Sequence, residues 1–161
     1  MKNKSSLRKL IINALKEDLD TASKAANTAK ETATSKETVA ENKYDTFGLE
    51  ASYLAHGQSI RANELASAIE HYANLPFKQF CKKDNVDVTA LITLETDNNT
   101  TKHFFLGPEA GGLKIHWQGK DIMVITPNTP LGRQLLGKQL DDTIELDIKN
   151  NHIVYEVTAI D

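Results

Sequence analysis

The amino-acid sequence predicts an α+β chain. A long antiparallel α-helical coiled-coil hairpin spans residues 1–75, with its tip near 33–45, and a small, mainly antiparallel β-sheet domain with one short helix spans residues 80–161. Two observations predict this. From Ser5 to Tyr72 there is no proline and only two glycines, with frequent Ala, Leu, Glu, Lys and Gln, which is helix composition. From Pro76 onward, glycines, prolines and Asp-Asn clusters punctuate short β-branched runs, the pattern of strands joined by turns.

Within the first part, Leu7, Leu10, Ile11, Ala14 and Leu15 fall at three- and four-residue steps, and beyond Leu19 the stripe shrinks to alanines. It returns after Tyr44 as Phe47, Ala51, Leu54, Ala62, Leu65, Ala68, Ile69 and Tyr72. Each stripe is narrow and the remaining faces are polar, as two helices packed on one another require. Ala33 to Asp45 is rich in Thr and Ser, residues of lower helix propensity, and takes the turn. A helix of ~28 residues rises about 42 Å. The competing arrangement, two helices lying flat on the second domain, is disfavoured because alanines supply little apolar area for docking on a sheet.

In the second part, Val86–Glu95 and Thr101–Leu106 read as a hairpin across Asp97-Asn98-Asn99. Leu113–Trp117 and Asp121–Thr126 flank Gln118-Gly119-Lys120. Leu131–Leu136 reads as a short helix, with Thr129 as N-cap and Pro130 at the first helical position. Thr143–Ile148 and Ile153–Ile160 form the last pair. The globular part is expected to begin between Pro76 and Val86, and proteolysis within Lys82–Asn85 to release it folded.

Charge and cysteine usage exclude several classes. Net charge is -3; residues 1–75 carry ten basic and ten acidic side chains, and residues 76–161 nine and twelve. Neither half has the basic excess of a protein that grips phosphates, so no direct sequence-specific nucleic-acid binding is expected. No apolar run approaches a membrane span, and Leu10-Ile11-Ile12 is too short for a signal-peptide core. Cys81 is the single cysteine, so no internal disulfide forms and a reducing, cytoplasmic setting is expected. Gly107–Gly112 lacks the lysine of a phosphate loop and reads as a turn. His103 and His116 read as sheet residues. No motif of a self-sufficient enzyme is present.

One acidic cluster stands at the expected turn: Glu37, Glu41 and Asp45, at four-residue spacing. Carboxylates held at the end of a helical rod suit a divalent cation such as Mg²⁺ when another molecule completes the site. The alternative is a solvated tip of mixed charge, since Lys36 and Lys43 lie among them.

The segment Thr126-Pro-Asn-Thr-Pro-Leu-Gly-Arg-Gln-Leu-Leu-Gly-Lys138, with Leu140–Leu146 after it, resembles the Ser-Pro-apolar-small-Arg-x-Leu-apolar-Gly-Lys motif of the bacterial Gre transcript cleavage factors. Tyr155–Ile160 is similar to that family's last strand. Glu41-Asn42 and Tyr44 resemble its Glu-Asn-x-x-Tyr, one residue short. The resemblance implies an FKBP-like fold for the second domain and bacterial RNA polymerase as partner. It implies docking through Thr129, Pro130 and Leu131 at the rim of the secondary channel, with the hairpin tip inserted. It further implies that tip acids, here Glu41 with Glu37 or Asp45, share Mg²⁺ with the polymerase and promote cleavage of backtracked RNA. The isolated protein is then no enzyme and holds no metal or cofactor of its own. Where the family has an Asp three residues before the Glu, this sequence has Thr38, and the family's Gly-Asp turn is missing. A channel occupant without cleavage and a coiled-coil scaffold that never meets polymerase are the other readings. Prolyl isomerase activity ranks low, because Phe104, Phe105 and Trp117 are the only candidates for an aromatic pocket.

Overall fold

A computed structural model of the chain describes residues 4–35, 46–148 and 151–161, with the backbone alone of Ile148 and Asn151. Two long helices, α1 (Ser5–Thr34) and α2 (Phe47–Asn74), precede a six-stranded sheet. The strands are β1 (Leu91–Thr96), β2 (Thr101–Leu106), β3 (Lys114–Trp117), β4 (Lys120–Ile125), β5 (Thr143–Ile148) and β6 (Asn151–Ile160), with the short helix α3 (Pro130–Leu135) between β4 and β5. The chain forms two compact units, Ile12–Ala73 and a second made of Met1–Ile11 with Asn74–Asp161.

The Ile12–Ala73 unit is the helical hairpin. Its buried positions repeat every seven residues, Leu15, Ala22 and Ala29 on α1 and Leu65 and Tyr72 on α2, joined by Ala51 and Ala68. That is the spacing of a coiled-coil seam. The α2 helix opens on Thr46, whose carbonyl accepts from the Glu50 amide at 2.8 Å while its hydroxyl donates to the Glu50 carboxylate at 2.8 Å. Glu50 also places negative charge in the first turn, where the helix dipole favours it. Pro76, two residues past Asn74, cannot continue the helix.

In the other unit the strand order is β3-β4-β2-β1-β6-β5. Every pair is antiparallel except β2 with β4, which is parallel. Gln118 and Gly119, with φ of 50° and 75°, form the two-residue β3–β4 hairpin with both central residues left-handed, the twist such a turn needs. One face of the sheet carries Ile92, Leu94, Phe104, Leu106, Ile125, Ile144, Leu146, Tyr155 and Val157, packed with Leu135 of α3. Leu91, Phe105, Ile122, Val124 and Trp117 alternate with these and are buried on the opposite face. The run Phe104-Phe105-Leu106 is buried throughout, the mark of a strand covered on both sides. All three aromatic candidates for an isomerase pocket are therefore core residues.

Residues 4–11 belong with the sheet unit. Leu7 and Ile11 are fully buried. The Trp117 indole donates to the Ser6 hydroxyl at 2.8 Å, and the Arg8 guanidinium lies 4.3 Å from the centre of the Phe77 ring and donates to the Leu75 carbonyl. Phe77 in turn stacks on Phe105 with ring centres 5.3 Å apart. Lys4 is buried and donates to three backbone carbonyls, of Lys78 (2.5 Å), Thr89 (2.9 Å) and Asp161 (3.0 Å).

The first strand starts five residues later than the alternation of Val86–Glu95 predicts. Thr89 takes φ 76°, a left-handed conformation that costs a β-branched residue on the order of 1–2 kcal/mol and breaks the strand. Its surroundings hold it: its amide donates to the Leu106 carbonyl, its hydroxyl accepts from the Lys78 amide, and its carbonyl accepts from Lys4.

Candidate functional site

The segment Thr126–Lys138 divides cleanly into positions the fold needs and positions it does not. Thr129 caps α3: its hydroxyl accepts from the Gly132 amide at 3.1 Å and donates to the Thr126 carbonyl at 2.7 Å. Pro130 occupies the first turn, where its missing N–H costs nothing. Leu131 packs partly into the core beside the fully buried Leu135. Gly132 is buried and leaves no room for a side chain, because a Cβ there would overlap the Thr126 carbonyl oxygen. Gly137, at φ 83°, terminates the helix in the left-handed conformation, and its amide donates to the Val86 carbonyl at 2.8 Å.

Pro130, Arg133, Gln134 and Leu136 remain exposed, Leu136 to 46%. None of them is required by the core. An exposed proline and leucine lie on either end of the short helix, with exposed Arg133 and Gln134 between, a mixed apolar and polar surface. The Gly107–Gly112 loop supports this segment: the Gly107 and Gly112 amides donate to Ile125 and Val124 carbonyls, and Gly111 lies against the Thr126 and Thr129 methyl groups. It is a structural turn, as its lack of a lysine indicated.

Of the residues singled out by sequence, Thr129, Pro130 and Leu131 are thus brought together at the start of α3. Glu37, Glu41 and Asp45, and Thr38 with them, lie outside the described residues, in the interval between α1 and α2. Among the described residues no group of three or more His, Cys, Asp or Glu side chains is placed to hold a metal. Cys81 is exposed, and its amide donates to the Asp84 carboxylate at 2.9 Å. His116 pairs with Asp121 at 2.8 Å across β3 and β4. The His152 pKa is raised, first by its hydrogen bond to Asp147 at 2.9 Å and further by the charges of Asp147 and Glu145. No described helix is long and apolar enough to cross a membrane.

Two features escaped the sequence reading. Lys4 titrates at about 8, below its ordinary value of 10.5, because burial penalises the ammonium and the negative charge of Asp161 only partly offsets that. Its only sequence signal is a lysine three residues before a buried leucine. The second is on α2. Phe47 and Leu54, expected in the helix–helix seam, are more than half exposed, because the buried seam of α2 becomes continuous only further along, at Leu65, Ala68 and Tyr72.

Residues 82–161 match the family model for the C-terminal domain of the transcription elongation factors GreA and GreB. Among solved structures, the chain is similar to GreA factor homolog 1 (Gfh1) of Thermus thermophilus, at 17% identity over 93% of this chain and 94% of that one, with a TM-score of 0.40. Gfh1 of Thermus aquaticus is 16% identical over 98% and 95%, also with a TM-score of 0.40. The GreA/GreB factor of Nitrosomonas europaea is 14% identical over 60% and 78%, with a TM-score of 0.39. No curated protein matches the chain.

Proposed function

We propose that this chain, a divergent member of the GreA/GreB transcription elongation factor family, is a cytoplasmic regulator that binds bacterial RNA polymerase at the secondary channel. The observation that carries the reading is the family match over residues 82–161, which contains the α3 segment with its exposed surface. In this reading the Thr129-Pro130-Leu131 turn docks at the channel rim and the hairpin tip enters the channel. The factor is not an enzyme by itself.

At the tip, Glu41 with Glu37 or Asp45 supplies the hard oxygen donors that Mg²⁺ prefers. Bound between these acids and those of the polymerase, the ion would supply an activated water for cleavage of backtracked RNA. Residues of this chain contribute the carboxylates and their position, and nothing else in the reaction. The experiment is cleavage of a stalled, backtracked complex with wild type, Glu41→Ala and Thr38→Asp. Stimulation that Glu41→Ala abolishes supports an active tip. Binding without stimulation, gained only in Thr38→Asp, identifies a channel occupant that tunes rather than cleaves.

A further inference from the structure

Strand register sets six side chains in two rows on the face of the sheet that also carries Leu135 of α3. Lys102, Asp121 and His116 form one row across β2, β4 and β3, and Phe104, Met123 and Lys114 form the next. They line a groove of about 580 Å³, the size of a ligand site. Its floor is apolar, with Phe104 buried and Met123 half-buried. Lys102 and Lys114 stand exposed at opposite corners. Lys102 is held in place, its ammonium donating to the Tyr155 hydroxyl at 3.0 Å and lying 5.3 Å from the centre of that ring. No carboxylate among the described residues pairs with either lysine. Asp121, the one carboxylate of the groove, is tied to His116 instead, at 2.8 Å. Two cations without carboxylate partners thus flank an apolar floor, in a half of the chain that carries nine basic and twelve acidic residues.

We propose that this groove binds an extended acidic segment of a protein partner, of the pattern acid–x–apolar–x–acid. Charge and spacing both select it. Lys102 and Lys114 are two strands and two residues apart, so their Cα atoms are separated by roughly 12 Å. In an extended segment alternate side chains face the same way, and the first and fifth residues lie about 13 Å apart. One carboxylate then meets each lysine while the central apolar side chain lies over Met123, whose flexible thioether adapts to its shape. An exposed lysine pair alone is a solvated surface, and the apolar floor between these two is what gives a segment something to bury. The groove opens at β3, the last strand of the sheet, so a chain passes in and out without ending there. A phosphate group fits less well, because the lining has no arginine to grip it with a bidentate fork and no glycine-rich nest of amides. The groove shares no residue with Thr126–Lys138, and the inference does not rest on the proposed function.

The test is an NMR titration of the full-length, ¹⁵N-labelled protein with the end-blocked peptide Glu-Ser-Leu-Ser-Glu, beside its uncharged counterpart Gln-Ser-Leu-Ser-Gln. Saturable shifts concentrated at the amides of Lys114, His116 and Met123 are the expected result, weakened by salt and lost with the uncharged peptide. The double variant Lys102→Gln/Lys114→Gln should bind about fivefold more weakly, as the loss of two exposed ion pairs predicts. Both lysines are exposed, and an unchanged spectrum away from the groove verifies the fold, with Lys114→Gln alone giving a smaller change in the same direction. Absence of saturable shifts at several millimolar peptide overturns the proposal, as does equal binding of the uncharged peptide or equal affinity of the double variant. Inorganic pyrophosphate shifting the same amides where the peptide does not would assign the groove to a small anion and overturn the proposal too.

Discussion

Gly132 packs directly on the carbonyl of Thr126, with no space between them for a methyl group. The contact closes the turn that presents Pro130, so the segment's geometry depends on a missing side chain. Gly132→Ala must displace α3 or the Thr126 carbonyl, and should destabilise the protein by on the order of 1–3 kcal/mol, as overpacking does. Urea unfolding measures this directly. A loss under 0.5 kcal/mol would show that the turn relaxes freely.

Thr129 and Pro130 are neighbours with separable roles. Thr129→Ala removes the cap on Gly132 and should cost about 1 kcal/mol of stability. Pro130→Ala should cost about 1 kcal/mol or less, through the entropy of the unfolded chain. Because Pro130 is exposed, its replacement should weaken polymerase binding out of proportion to that stability change. Competition against a genuine Gre factor reads the difference, and unchanged competition would remove Pro130 from the docking surface.

Lys4 gives the fold a pH signature. Its folded pKa of about 8 lies below the ordinary 10.5, so between these values the unfolded chain binds more protons than the folded one. Stability contributed by this group therefore rises with pH from about 8 toward 10.5, by at most about 1.4 kcal/mol per pH unit, while below pH 8 the penalty for burying the ammonium is fully present. Denaturation midpoints between pH 7 and 10 should show this rise in wild type and lack it in Lys4→Met. A parallel pair of curves would assign the slope elsewhere.

Residues 4–11 complete the sheet unit, so a fragment of residues 82–161 should be far less stable than the whole. It loses two fully buried side chains, Leu7 and Ile11, each contributing about 1.5–3 kcal/mol, along with the Ser6 partner of Trp117. Proteolysis at Lys82–Asn85 should accordingly leave two pieces associated. Gel filtration after limited digestion distinguishes this from release of a free, folded C-terminal piece.

Much of this architecture was legible in the chain. The heptad spacing of Leu15, Ala22 and Ala29 marks the hairpin because period alone sets which residues face the partner helix. The Thr129-Pro130 pair marks the start of α3 because cap chemistry is local. What was hidden is non-local. Nothing in Ser6 or Leu7 signals a docking site more than a hundred residues away in sequence, near Trp117. Nor does the alternation through Val86–Glu95 reveal the left-handed Thr89, which the surrounding carbonyls and amides enforce. For Phe47 and Leu54 the period gives the helix face shared with Leu65 and Tyr72 but not how much of each side chain stays exposed.

The most direct measurement of the central claim is a titration of the full-length protein, labelled at the exposed Cys81, with bacterial core RNA polymerase, followed by displacement with a genuine Gre factor. Saturable binding that the Gre factor competes away, and that Pro130→Ala weakens, is the predicted result. No binding at micromolar polymerase, or binding that a saturating Gre factor leaves untouched, would contradict it.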